Sequence, residues 1–230
     1  MKIVNISASI IIGIMLFIVL LFTSVEVIGY NINYYEWQYE RHNIPDNTKM
    51  SINELLKVTS YMIDYLQGER QSLEMTAIID GSNQEVFGER EKQHMIDVKK
   101  LFTIGSYLRN ISLYLLVIIF IYMIYKNKTL LIVVLSNVKY VFGTIIMLIL
   151  ILGGLLISNF NKYFTIFHKI FFSNDLWLLD PKTDILINIV PEIFFFQTAM
   201  IILGLFTISV IILLSIIKIW KNRYNRADYN

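Results

Sequence analysis

Four stretches of the chain run for about twenty residues with almost no charge: 6–25, 106–125, 140–157 and 193–217. A helix rises about 1.5 Å per residue, so each is long enough to cross the ~30 Å hydrocarbon core of a bilayer. They predict four transmembrane helices. The first, within 1–28, reads as an uncleaved signal anchor: no small-x-small cleavage pattern precedes Glu26, and the apolar run is too long for a secretory h-region. Between and after the spans lie four segments of other patterns: 29–105, a connecting loop at 126–139, an aromatic loop at 158–192 and a basic tail at 218–230.

Within 29–105 the pattern changes several times. Residues 30–44, YNINYYEWQYERHNI, concentrate Tyr and Trp, which suit the membrane–water interface. Ser51-Ile-Asn-Glu54 is a capping-box signature, and Leu55, Leu56, Tyr61, Met62 and Leu66 follow at helical spacing up to Gly68. An amphipathic helix over 52–67 is predicted. Leu73, Met75, Ala77 and Ile79 alternate, Asp80-Gly81 supplies a turn, and Glu85-Val86-Phe87 can return as a short strand, so a hairpin follows. A charged helix then starts after Gly88 and runs into the second span. A straight helix would carry His94 about 18 Å above the hydrocarbon, so a bend at Gly105-Ser106 is expected to fold it down toward the head groups. In the aromatic loop, Phe160–Phe172 reads as an interfacial helix around His168. Asp180-Pro181 looks like an N-cap with Pro at the first helical position, and Pro191 opens the fourth span.

Composition agrees with the spans: 56% of the 230 residues are hydrophobic and 17% charged, against about 45–50% and 25% in average chains. A soluble globular domain, a disordered chain and a disulfide scaffold are excluded. The net charge of +2 gives no case for nucleic-acid binding. It is also a sum over two unlike sides. With the N-terminus inside, Lys2, Lys126, Lys128, Lys139, Lys218, Lys221, Arg223 and Arg226 are all cytoplasmic, with Asp228 the one acid among them. Acids outnumber bases in 29–105 and in 158–192, which then lie outside. The fold class is a mainly α membrane protein of four transmembrane helices, N-in and C-in. It carries a small extracellular α+β cap and a second aromatic-rich outer loop.

Reactive groups are scarce: no Cys and three His. That removes thiol chemistry, and the chain has no G-x-S-x-G elbow, H-E-x-x-H, P-loop or dinucleotide fingerprint. Two His with an Asp could hold zinc, but these ligands lack close pair spacing, so metal stays the lesser alternative. A transporter is set aside for want of internal repeats and intramembrane polar groups. His94 and His168 come from separate segments, each at the margin of a span. Each is either an interfacial structural residue or a catalyst; alone the first would prevail, and the pair at one level brings the second even with it. His42 reads as an ordinary loop histidine. Asp97 either orients His94 through its ring N–H or forms a helix-surface salt bridge to Lys99 or Lys100. Arg109 interrupts a span near its outer edge, where it can snorkel to lipid phosphate. Asp184 either supports His168 or caps the short helix after Pro181. A non-catalytic membrane scaffold with a partner-binding cap is the competing reading.

The segment HMIDVK at 94–99, after its Glu-rich helix start, resembles the central motif of the lipoprotein intramolecular transacylase (Lit) family. FHKIFF at 167–172 and WLLDPKTDILINIVPEIFF at 177–195 resemble that family's second signature, and the likeness covers nearly the whole chain. It implies a Gram-positive membrane enzyme that makes lyso-form lipoproteins with no cofactor, metal or external acyl donor. The sn-2 acyl chain of a diacylglyceryl-modified lipoprotein would move to the α-amine of the substrate's own N-terminal Cys. The family histidines fall on His94 and His168, and Trp177 and Asp184 lie in the second signature as supporting residues; Glu192 and the residues from Asn174 to Leu176 carry nothing over. The expected assignment makes His94, oriented by Asp97, the principal base and acid, and His168 the oxyanion or leaving-group donor, with exchange of these roles left open. The expected partners are the diacylated lipoprotein and membrane lipid, with the chain a monomer in the cell membrane and its site facing outward.

Overall fold

The computed structural model describes residues 2–227, so Asp228 of the basic tail lies outside the described residues. Nine helices and two strands follow in order among them: α1 (Lys2–Gly29), α2 (Ile32–Arg41), α3 (Ile44–Thr48), α4 (Ile52–Gln67), β1 (Thr76–Ile79), β2 (Ser82–Glu85), α5 (Glu89–Lys126), α6 (Lys128–Ser158), α7 (Phe160–Phe171), α8 (Leu186–Ile189) and α9 (Glu192–Ala227). α1, α5, α6 and α9 are the helices long and apolar enough to cross a membrane.

The chain divides into two compact units. One holds the residues up to Val25, Ser106–Gly154 and Met200 onward. Its core gathers Leu131, Val134, Phe142, Phe206 and Val210, and Phe17 meets Phe206 edge to face with ring centroids 5.6 Å apart. Gly13 of α1 packs directly on Val141 of α6: a Cβ at Gly13 would lie 2.9–3.0 Å from three Val141 carbons. Small residues permit this close approach where lipid supplies no hydrophobic drive.

The stretch 126–139, expected as a loop, is helical almost throughout. Asn127 alone separates α5 from α6, and its Oδ1 accepts the Leu130 N–H at 2.8 Å as an N-cap. Leu131, Val134, Leu135 and Val138 then form a buried stripe at helical spacing. Lys128 and Lys139 break the hydropathy run without breaking that period. Gly105 and Ser106, where a bend is expected, lie inside the continuous helix α5; a lone Gly weakens a helix by only about 1 kcal/mol.

The other unit comprises Glu26–Gly105 and Leu155–Ala199. Its core is built from Tyr39, Leu55, Val58, Phe87 and Ile189, all essentially inaccessible. α4 occupies the predicted 52–67. Ser51 Oγ accepts the Glu54 N–H at 3.3 Å at its start, and Gly68, at φ +87°, ends it. Its buried face carries Leu55, Val58, Thr59 and Met62, and the Thr59 hydroxyl pairs with that of Tyr39 at 2.6 Å. The hairpin closes through Asp80-Gly81, with Thr76 opposite Glu85 and Ile79 opposite Ser82. Both turn residues have positive φ, 52° and 78°, as a two-residue hairpin turn of the primed kind requires. Glu54 Oε2 accepts the Ile78 N–H at 3.2 Å and ties the hairpin to α4.

One further expectation changes, at Pro181, while Pro191 opens α9 as expected. Pro181 opens a turn rather than a helix: Asp180 Oδ1 accepts from the Lys182 amide, and the Thr183 and Asp184 amides donate to the Asp180 carbonyl. The side chain of Asp180 caps, but no helical ladder follows until α8. Pro191 precedes α9, and its carbonyl accepts from the Phe194 and Phe195 amides as an N-cap residue does.

Candidate active site

His94 lies in the polar first turns of α5, before the apolar stretch 106–125, and His168 lies near the end of α7. Both are 7% exposed, and their ring centroids stand 6.2 Å apart with planes inclined at 34°. The two margins singled out along the chain thus meet in space.

The wall around them is aromatic. Phe172 meets the His94 ring edge to face at 5.2 Å. Phe164 meets His168 edge to face at 4.3 Å, and Trp177 stacks on it at 4.8 Å and 27°. Phe164 stands on α7 one turn before His168, and Phe172 ends that helix, its N–H donating to the His168 carbonyl at 2.8 Å. Helical spacing therefore builds most of this wall from local sequence.

The two imidazoles are held differently. His168 Nδ1 lies 2.6 Å from the Phe164 carbonyl oxygen one turn back. A carbonyl only accepts, so Nδ1 carries the proton and Nε2 keeps the lone pair. His94 Nδ1 is buried and has no hydrogen-bond partner among the described residues. Burial lowers the His94 pKa from 6.5 to about 4, aided by His168 and opposed by the charge of Asp97. Burial also lowers His168, opposed by its bond to Phe164. Desolvation disfavours the imidazolium, so both rings are neutral near pH 7.

Asp97 does not hydrogen-bond His94, the first of the two roles weighed for it. Oδ1 pairs with Lys100 Nζ at 2.9 Å and Oδ2 accepts from Asn174 Nδ2 at 2.8 Å, and these two contacts hold its carboxyl below the usual range. The i,i+3 lysine was within its reach along the helix, and the asparagine comes from a segment the sequence does not align with it. Asp184 serves the turn after Asp180: Oδ2 accepts the Asp180 N–H at 2.7 Å and Oδ1 the Thr183 hydroxyl at 3.3 Å. Its carboxylate is thereby used away from His168. Trp177 is in the site. Arg109 belongs to the other unit, where its guanidinium bonds Asn110 Oδ1 at 3.1–3.2 Å. His42 caps the end of α2 and pairs with Gln197 at 3.1 Å.

Two residues of the site were not singled out from sequence. Asn174, given no role above, binds Asp97 and also accepts the Leu176 N–H at 3.1 Å, which shapes the chain into Trp177. Glu91 is 1% exposed, with Oε2 accepting from the Gly88 amide and Oε1 from the Leu186 amide, each at 2.6 Å. The Gly88-x-x-Glu91 spacing at a helix start is the one local signal that marks it, as the returning half of a capping box.

A multi-pass membrane protein with a buried histidine pair in an aromatic setting is the class these features define. Residues 10–195 match the family model of lipoprotein intramolecular transacylase Lit, and the chain belongs to that family. The membrane integral lipoprotein intramolecular transacylase Lit from Bacillus cereus has the same fold, with a TM-score of 0.77 at 23% identity over 99% of this chain and 100% of that one. A variant of it with a histidine replaced by arginine gives 0.76, at 23% identity over 99% and 96%. An uncharacterized protein of Aquifex aeolicus is 28% identical over 171 residues, 74% of each chain. The family is named for acyl transfer, so the protein is a membrane acyltransferase.

Proposed function

We propose that the chain moves the sn-2 acyl group of a diacylglyceryl-modified lipoprotein to the α-amine of that lipoprotein's N-terminal Cys, at the outer leaflet. The N-in, C-in arrangement follows from the basic residues flanking the spans, and it puts the unit carrying His94 and His168 outside. The observation that carries the reading is the pair of neutral imidazoles 6.2 Å apart, one with its Nε2 lone pair free, within a ring of aromatic side chains.

His168 fits the base better than His94, the exchange of roles left open above. Its Nδ1–H is fixed by a carbonyl, the orienting contact that Asp97 does not make to His94. The neutral amine attacks the ester carbonyl and becomes strongly acidic as the N–C bond forms. Nε2 of His168 takes that proton, and the resulting imidazolium gives it to the glyceryl oxygen as the C–O bond breaks. An imidazole with a lowered pKa gives its proton up readily at that second step. His94, neutral through burial, donates a ring N–H to the oxyanion. Amine and ester are tethered in one molecule, so orientation supplies much of the rate, up to about 7–11 kcal/mol. Phe164, Phe172 and Trp177 exclude the water that would turn transfer into hydrolysis. Asp97 holds Asn174, and its charge only partly opposes the burial that keeps His94 neutral. Arg109 meets lipid phosphate near the outer end of its span, and Asp184 shapes the turn after Trp177.

The test is His168→Gln and His94→Gln in a host whose lipoproteins are analysed by mass spectrometry of the N-terminal lipopeptide. Each variant is expected to lose at least about 100-fold in transfer while still inserting in the membrane. Transfer retained by both would remove the histidine mechanism.

A further inference from the structure

Glu91 stands one turn before His94 on α5, and it lies almost wholly out of solvent. Both of its oxygens accept backbone amides, one from Gly88 at the start of α5 and one from Leu186 at the start of α8. Used twice as an acceptor, the group is suited to a carboxylate; a proton or an amide on either oxygen would turn a donor against a donor. Burial acts the other way and raises its pKa, opposed by the Leu186 and Gly88 amides and reinforced by the charge of Asp184.

The same segment is held on the other side of His94. Asp97, one turn later, accepts from Asn174, while on the Glu91 side Arg90 Nη2 donates to the Asp175 carbonyl at 2.5 Å. The chain from Asn174 to Leu186 is therefore anchored to α5 both before and after His94. Trp177 lies within that chain and stacks on His168. Leu186 and Ile189 are themselves buried in the core that also holds Met95, the residue after His94.

We infer that Glu91 is a positioning residue for acyl transfer: by holding the Leu186 amide against the His94 turn of α5, it sets the spacing between His94 and the Trp177–His168 stack. The inference rests on the transfer proposed above. A displacement of about 1 Å at a reacting group can cost about a hundredfold in rate, so loosening one anchor is felt in turnover rather than in binding.

The experiment compares the full-length wild type with Glu91→Gln and Glu91→Asp in lipid nanodiscs, using a synthetic diacylglyceryl lipopeptide with a free N-terminal Cys. kcat and KM are measured per folded molecule, with hydrogen–deuterium exchange of residues 174–190. The expected order of kcat is Glu, then Asp, then Gln. The Gln variant should fall at least about tenfold with KM within about threefold, and its exchange at 174–190 should rise at least about fivefold. A kcat within about threefold of wild type in both variants would overturn the inference, leaving Glu91 a structural anchor. Should wild type transfer no acyl chain, the proposed function fails by itself. Exchange then still decides the anchor, supporting it if raised in Glu91→Gln and overturning it if unchanged.

Discussion

His94 makes folding sensitive to acid. In an unfolded chain its imidazole titrates near the ordinary 6.5, whereas burial in the folded unit lowers it to about 4. Above about 6.5 both states hold a neutral ring, and stability does not depend on it. As pH falls from 6.5 to 4 the unfolded chain takes up a proton that the folded chain refuses, so stability is lost through that window and levels off below it. At about 1.4 kcal/mol per pH unit the loss approaches 3 kcal/mol, a large share of the 5–15 kcal/mol that ordinary domains possess. His168, lowered for the same reason, adds to it with the same sign. The measurement is thermal unfolding of the wild type and of His94→Gln in detergent at pH steps from 8 to 4. The Gln variant should lose distinctly less stability between 6.5 and 4. Ring nitrogen NMR on histidine-labelled protein gives an independent reading, since the chain has only three histidines to assign. Equal acid losses in the two proteins, or a His94 midpoint near 6.5, would refute the argument that burial governs this ring.

Two further outcomes are expected. Gly13→Leu should destabilise the unit that contains it by about 1–3 kcal/mol, because a Cβ there already lies 2.9–3.0 Å from the stiff Val141 side chain; an unchanged melting temperature in detergent would contradict that contact. The chain has no Cys, so single-cysteine labelling has no background: in intact cells Asn83→Cys should react with a membrane-impermeant maleimide and Asn222→Cys only after permeabilisation, and the opposite pattern would reverse the proposed orientation.

The elements that lean on local rules were legible along the chain. The four long helices were marked by charge-free length, α4 by a Ser cap at one end and a Gly at the other, and the hairpin by Asp80-Gly81 with its two positive φ angles. Each of these depends on residues within a few positions of one another. Even the miss at 126–139 was local: two lysines masked a helical stripe that Leu131, Val134, Leu135 and Val138 spell out. His94, His168 and Trp177 could also be singled out as candidates along the chain, because their neighbours in sequence carried the family resemblance, and the structure brings the three rings together.

Their chemistry was not available in the same way. Whether Asp97 serves His94 depended on Asn174, 77 residues away, which takes the oxygen a catalytic orienter would have needed. Glu91 reads as one acid in a charged helix start, and only the Leu186 amide, 95 residues on, makes it a buried double acceptor. The tautomer of His168 is set by a carbonyl one turn back, yet the burial that keeps both rings neutral needs His94 on α5 brought against the aromatic wall around α7. Sequence by itself determined the spans, the caps and the inventory of reactive groups, since helix period, turn geometry and hydropathy act over short distances. Tertiary structure alone decided which acceptor each donor meets and how dry each imidazole is, because a hydrogen bond selects its partner within about 3 Å and desolvation sums over everything packed around a group.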